Sequence, residues 1–234
     1  MIMMLVLTAI MFSAMGSDSS RGKRPQDDAR KKPDRITLPA PRPDGPLALE
    51  QAIAERRSVR EYTAQALTLE EISQLLWSAG GRTDTEGRRA VPSAGALYPL
   101  ELSVFADNVS GIEGGLYRYH ATDHSLTIVR RGRFLRELSE AALGQACVRG
   151  APAVILISAI PERTTVKYGA RGIRYIHLEA GGAAQNLVLQ AVALGLGCVT
   201  VGAFRDDEVG RIAGFGKGEE PLYLLPVGHP SRPQ

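Results

Sequence analysis

The chain has 234 residues, 44% hydrophobic and 23% charged, enough to bury the core of one domain plus a tail. Its formal net charge is +3, and residues 17–46, with eight basic and five acidic groups, hold that whole excess. The remaining body is neutral, which excludes a broad nucleic-acid-binding face.

Residues 1–16, MIMMLVLTAIMFSAMG, are apolar and end abruptly. The run is short for a membrane span and fits the hydrophobic region of a secretory signal, with Ala14 and Gly16 as small residues for cleavage. No Lys or Arg precedes it, and Met11 or Met15 are alternative starts. The expectation is a signal peptide or N-terminal anchor and an exported protein, periplasmic or membrane-associated, with a cytoplasmic location as the alternative. Residues 17–46 carry six of the fourteen prolines and few large apolar groups, and read as a disordered linker. The folded domain is expected over 47–234, without stable membrane insertion.

From Leu47 the pattern becomes globular. LALEQAIAERR places Leu49, Ala52 and Ile53 at helical spacing, and SVREY reads as extended. TLEEISQLLWSAGG opens with a capping box, Thr68 with Glu71, and stops at Gly80-Gly81. A long polar, Gly- and Pro-containing connection follows, RTDTEGRRAVPSAGALYP, of the kind that is more often functional than ornamental. LELSVFA is an alternating strand, GGLYRYHATDHSLTIVRRG a hairpin turning at ATDH, and FLRELSEAALGQACV one helix. APAVILISAI is a continuous apolar strand, buried on both faces. The polar segment PERTTVKYGARG leads into a long helix, IRYIHLEAGGAAQNLVLQAVALGLG. Its Gly181-Gly182-Ala183-Ala184 patch suits close approach of another backbone, across a dimer axis for example. CVTVGAF and PLYLLPVG are further strands around the helix DDEVGRIAG. The fold class is α+β, long helices on a small mixed sheet.

Several patterns carry no chemistry. GFGKGEE lacks the Ser/Thr and the preceding strand of a P-loop, and GLGCVTVG reverses the strand–turn–helix order of a dinucleotide site. His120 and His124 sit on a hairpin with no third metal ligand in view, and His177 reads as a hydrogen-bonded core histidine. Cys147 and Cys198 form no CxxC and read as small buried hydrophobes.

Three segments remain. ERRSVREY gathers Arg56, Arg57 and Arg60 around Ser58, which makes either a pocket for an anion or a solvated helix end with Glu55 paired to an arginine. VPSAGALYP offers small residues that let backbone groups approach a flat ligand. KYGARG sets Lys167 beside Tyr168, an acid/base pair or ordinary surface residues near a helix start.

Taken in order, RRSVREY, PSAGALYPLEL, GLYRYHATDHSL, KYGARGIRYIHLEAGGAAQNLVLQAVALGLG and PLYLLPVGHP resemble the nitroreductase-like FMN flavoenzymes, in the SagB/ThcOx-type dehydrogenase branch. The resemblance runs from about Leu47 to the C-terminus. It implies a nitroreductase-like α+β homodimer with FMN at the subunit interface. By resemblance, Arg56, Arg57 and Ser58 would hold the FMN phosphate and ribityl chain, and Arg60 would approach the pyrimidine edge of the ring. Pro92, Ser93, Ala94 and Gly95 would cover the flavin from the other subunit, Gly202 and Ala203 would lie near its reactive nitrogen, and Arg232 would add a phosphate contact. Lys167 and Tyr168 match the pair that removes a proton in azoline-oxidising members. The chain departs from NAD(P)H nitroreductases in having GALYPLE where they carry an Asn-Gln-Pro-Trp-like run, and VTVGAF where they carry a glutamate before the glycine. The implied function is an FMN-dependent oxidoreductase that moves a hydride between flavin and a small-molecule or peptide substrate, with no bound metal. The alternatives are an NAD(P)H-dependent nitroreductase or quinone reductase, and a non-catalytic flavin-binding protein.

Overall fold

The segment read as a doubly buried strand forms β5 (Ala153–Ala159), and all of its residues are buried. In the computed structural model, which describes residues 35–231, β5 pairs antiparallel along its full length with β2 (Leu100–Ala106) and β7 (Glu220–Gly228). The chain divides between Lys31 and Lys32, and everything described here belongs to the second unit. The expected signal, residues 17–34 of the expected linker, and Arg232 lie outside the described residues.

The hairpin of β3 (Gly115–His120) and β4 (Ser125–Arg131) extends the sheet from β2, and β6 (Gly197–Cys198) closes the other edge against β7. The remaining strand, β1 (Arg35–Thr37), pairs with β4 inside the stretch read as linker, and Leu38 behind it is buried. The described sheet therefore has seven strands in the order β1-β4-β3-β2-β5-β7-β6. Every pairing between these strands is antiparallel, so the expected small mixed sheet is larger and of one sense. Among the described residues, parallel contact occurs only in isolated bridges such as Ser58 with Cys198.

β5 is apolar throughout because helices cover both faces, and successive side chains of a strand point to opposite faces. Ala153, Ile155 and Ile157 join a core with α2 (Leu69–Gly80) and α6 (Arg171–Ala193). Val154 and Leu156 join a second core with α3 (Leu135–Ala141), α4 (Ala146–Gly150) and α7 (Asp206–Ala213). The capping box of α2 is formed: Thr68 N–H donates to Glu71 Oε2 at 2.7 Å and Glu71 N–H to Thr68 Oγ1 at 3.2 Å.

Other expectations are corrected. The helix expected through FLRELSEAALGQACV is two, because Leu143 and Gly144 are left-handed between them. PERTTVKY is helical, α5 (Glu162–Tyr168), ending at Gly169 with φ 55°. In α1 (Leu49–Glu55) only Ala52 is buried, while Leu49 and Ile53 are 61% and 55% exposed. In the small-residue patch of α6, Ala183 and Ala184 are buried and a Cβ on Gly182 would sit 3.3 Å from Val91, whereas one on Gly181 would meet nothing within 4 Å. His177 is exposed rather than a core histidine. Among the described residues, no helix is long and apolar enough to cross a membrane.

Gly197 fixes the arginine segment on the sheet. An added Cβ there would lie 2.5 Å from Val59 Cγ1 and 2.7 Å from its Cβ, so only glycine lets residues 58–59 run against β6. Gly197→Ala is expected to destabilise the protein by about 1–3 kcal/mol, the range for forced overpacking, read from urea unfolding midpoints. An unchanged midpoint would show that this contact does not constrain the segment.

Candidate active site

Backbone pairing holds the arginine segment at one end of the sheet. Val59 N–H donates to Cys198 O at 3.0 Å, and Tyr62 hydroxyl, which bonds Val59 O at 2.8 Å and Pro226 O at 3.0 Å, ties it to β7. Burial raises the Tyr62 phenol well above its ordinary range and pushes the Cys198 thiol up to about 12, so both are neutral supports. Arg57 Nη1 donates to Ala54 O at 2.9 Å and Arg56 O at 2.8 Å, closing the end of α1, and Arg60 Nη1 reaches Ser58 O at 3.4 Å. Glu55 accepts from Gln51 rather than from an arginine. Among the described residues, no acidic group within ion-pair distance partners Arg56, Arg57 or Arg60. Guanidinium groups so placed have donors open to solvent or to an anion.

From Cys198 the chain runs beside β7 to Val201, which bridges Leu224, and on to Gly202, which is exposed. A Cβ at Gly202 would be 3.7 Å from the Tyr223 ring. Ala203 O accepts from Gln145 Nε2 at 2.9 Å. Gly202, Tyr223, His177 and Asp206 line a cavity of about 300 Å³.

Pro92–Gly95 lies at the opposite end of β5. Ala153 registers with Val227, the residue that also registers with Cys198, whereas Ala159 registers with Leu100 and Glu220. Six residues of strand, roughly 20 Å, separate the two ends. At the far end Ile160 N–H donates to Pro99 O at 2.9 Å, so the loop entering β2 and the helix leaving β5 meet. Gly95, with φ 65°, is the point of contact: a Cβ there would lie 2.8 Å from Tyr168 Oη and 3.0 Å from Lys167 Nζ. A side chain at this φ would be strained, and its Cβ would displace the ends of both side chains. Tyr168 packs edge-on against Tyr175 at 5.1 Å, and Lys167 Nζ lies 5.4 Å from the Tyr168 ring centre.

The loop carrying Gly95 is strained and pinned. Ala96 and Tyr98 have φ 55° and 47°, a left-handed conformation that residues with a Cβ seldom adopt. Ser93 O accepts from Ala96 N–H at 3.0 Å, Ser93 Oγ accepts from Tyr98 N–H at 2.9 Å, and Arg163 Nη1 donates to Tyr98 O at 3.0 Å. Arg163 also pairs with Glu101 at 2.6 Å. Under the loop lies Glu179, 8% exposed, whose carboxyl burial pushes above the usual carboxylate range against the opposing pull of the Ser93 hydroxyl and the Arg89 charge. Sequence reading missed Arg89, Arg163 and Glu179. The available signal was that Glu179 is the lone acid of a 23-residue helix.

A sequence profile of the nitroreductase family matches residues 53–229, and the chain belongs to that family, a family of oxidoreductases. A Methanocaldococcus jannaschii protein assigned to the nitroreductases is 48% identical over 78% of this chain and 91% of its own. The FMN reductase (NADPH) of Bacillus subtilis is 28% identical over 77% of this chain and 65% of its own. Among solved structures, a nitroreductase-type protein of Ralstonia eutropha superposes with a TM-score of 0.74, at 27% identity, over 85% of this chain and 90% of its own. A chain of the Escherichia coli microcin synthetase McbBCD complex with truncated pro-MccB17 gives 0.67, at 26% identity, over 74% and 69%.

Glu179 makes stability depend on pH. Its folded pKa lies above its unfolded one, so the native state holds the extra proton. The associated stability is present at low pH and falls as pH climbs from the usual carboxylate range through the raised value. Glu179→Gln is expected to flatten that decline in urea unfolding measured across pH. An identical slope in both proteins would remove Glu179 as its source.

Proposed function

We propose that this protein is a homodimeric, FMN-dependent oxidoreductase of the SagB type, in which each flavin is held by one subunit and served by the Lys167–Tyr168 pair of the other. The observation that carries the reading is the separation of the candidate residues into an anion-ready group and an acid/base group at opposite ends of β5. One chain does not bring them together, and a second copy supplies the missing half. Exposed apolar side chains on α1 (Leu49, Ile53) and on α5 and α6 (Val166, Leu178) give such a copy apolar surface to cover.

The residues fit the cofactor. Arg56, Arg57 and Ser58 would receive the phosphate and ribityl chain, Arg57 from the end of α1, where its Nη1 also holds the Ala54 and Arg56 carbonyls. Arg60 would stand toward the pyrimidine edge, and the stretch from Cys198 leads along β7 to Gly202 and Ala203. Arg232 remains part of the proposal as a further phosphate contact. FMN, when bound, supplies the two-electron chemistry by accepting or returning a hydride. The chain's own part is to hold the substrate beside Gly95 and manage the proton. Lys167 Nζ or Tyr168 Oη accepts the proton lost when a ring such as a thiazoline is oxidised, and returns it to solvent. The pinned loop keeps both groups in place. Export of the mature protein belongs to the same proposal, and mass spectrometry of its N-terminus tests it.

Subunit complementation tests the shared site. Arg56→Ala is expected to lose FMN on dialysis, and Lys167→Ala to slow oxidation of a peptide-borne thiazoline by about 10²–10⁴-fold with flavin retained. Co-expressed mixed dimers of the two variants should regain activity that neither parent has. No recovery would assign all the groups to one chain. Rapid stopped-flow reduction of the bound flavin by NADPH would instead favour the nitroreductase or quinone reductase reading. If Lys167→Ala and Tyr168→Phe leave every rate unchanged, the protein binds flavin without the proposed turnover.

A further inference from the structure

Beside Leu97 and Tyr98 of the Gly95 loop lies a cavity of about 390 Å³ bounded by that loop, the end of α2, the start of β2, the end of β3 and α6. Its charged lining groups are Arg89, Arg163, Glu101 and Glu179. Arg163 is committed to Glu101 and to Tyr98 O, and Glu101 also faces Arg118 at 3.7 Å. His120 is engaged with Thr127 Oγ1 at 2.9 Å. Arg89 is different. Its guanidinium carbon sits 4.4 Å from the centre of the Tyr98 ring, and among the described residues it has neither an ion pair within 4.0 Å nor a side-chain hydrogen bond. The residue is half-buried.

A guanidinium taken partly out of water gains most when an anion completes its fork. Stacking on Tyr98 fixes the plane of that fork, so its donors have a defined direction. Arg89 has no hydrogen-bonded acid, though its charge already draws on the buried Glu179 carboxyl, and one such cation suits a singly charged, planar anion better than a phosphate. We propose that this cavity is a binding site for a small organic carboxylate, held by Arg89 over Tyr98 with the Glu179 carboxyl beside it.

The site is separate from the flavin reading, because it uses none of the residues assigned there to flavin or to proton transfer. Occupancy would nonetheless reach that site: Tyr98, which stacks on Arg89, follows Leu97, whose Cδ1 would lie 3.5 Å from a Cβ on Gly95.

Isothermal titration of the full-length protein with N-acetylglycine and, in parallel, N-acetylglycinamide tests the proposal, since the two probes differ in the carboxylate alone. Saturable binding of N-acetylglycine and none of the amide is expected. Arg89→Ala should weaken binding about tenfold or more, the loss expected for a charge-assisted hydrogen bond. Ala121→Trp, which fills the cavity from the hairpin side and leaves Arg89 intact, should abolish it. No saturable binding, equal binding of the amide, or N-acetylglycine binding unchanged in either variant would overturn the site. Flavin absorbance recorded on each sample separates this outcome from a failure of the flavin reading, because carboxylate binding is expected whatever the flavin content.

Discussion

The antiparallel pairing of β5 with both β2 and β7 is the constraint on which the rest of the structure depends. Antiparallel neighbours start where the other ends, so the pairing of Ala159 with Leu100 and Glu220 collects three chain crossings at one edge of the sheet. The loop entering β2, the helix leaving β5 and the residue entering β7 all converge there. Gly95, Lys167 and Tyr168 meet because of that register. The same register carries Cys198, and with it Arg56–Arg60, to the other edge.

Charge is distributed with equal economy. At the crowded edge, Arg118 grips Glu219 with two nitrogens at 2.7 and 3.1 Å, and Ser158 Oγ donates to the same carboxylate at 2.6 Å. Arg163 binds Glu101 and the Tyr98 carbonyl, so α5 and the strained loop share one support. These pairs are partly buried and use several donors each, the geometry in which ion pairs position groups as well as attract. Against those satisfied pairs, Arg89 at one end and Arg56, Arg57 and Arg60 at the other are, among the described residues, without an acidic partner within 4.0 Å.

A second polar cluster anchors the chain ahead of the site. His124, left-handed at φ 48° in the hairpin turn, bonds Ser73 Oγ at 2.6 Å, Tyr119 Oη at 2.9 Å and Pro39 O at 3.1 Å. Burial holds its imidazole below the ordinary range, and so favours the neutral ring. The result ties β1 and the following proline segment to α2 and the hairpin. Polar composition alone made residues 35–46 look like linker; hydrogen bonding and the burial of Leu38 order them.

Local patterns were legible where a single element explains its residues. The capping box placed the start of α2, the hairpin turn was readable at ATDH, and continuous apolar residues marked β5. Legibility failed where neighbours decide the outcome. PERTTVKY is helical although polar, because α6 packs beside it, and Leu143-Gly144 divides a helix that periodicity alone continues. Leu49 and Ile53 have the spacing of a buried face yet remain exposed in the single chain.

The site divides in the same way. The sequence by itself determined the residue types: three arginines around a serine, a small-residue loop, a Lys-Tyr pair, and an order of segments that resembles one enzyme family. Those are properties of short stretches, and side-chain chemistry is carried by each stretch. Only the tertiary structure decided which stretches share an end of the sheet, that Gly95 receives both Lys167 and Tyr168, and that Glu179 and Arg89 face one cavity. Strand register sets those distances, and register depends on pairings between residues far apart in the chain, which no local pattern encodes.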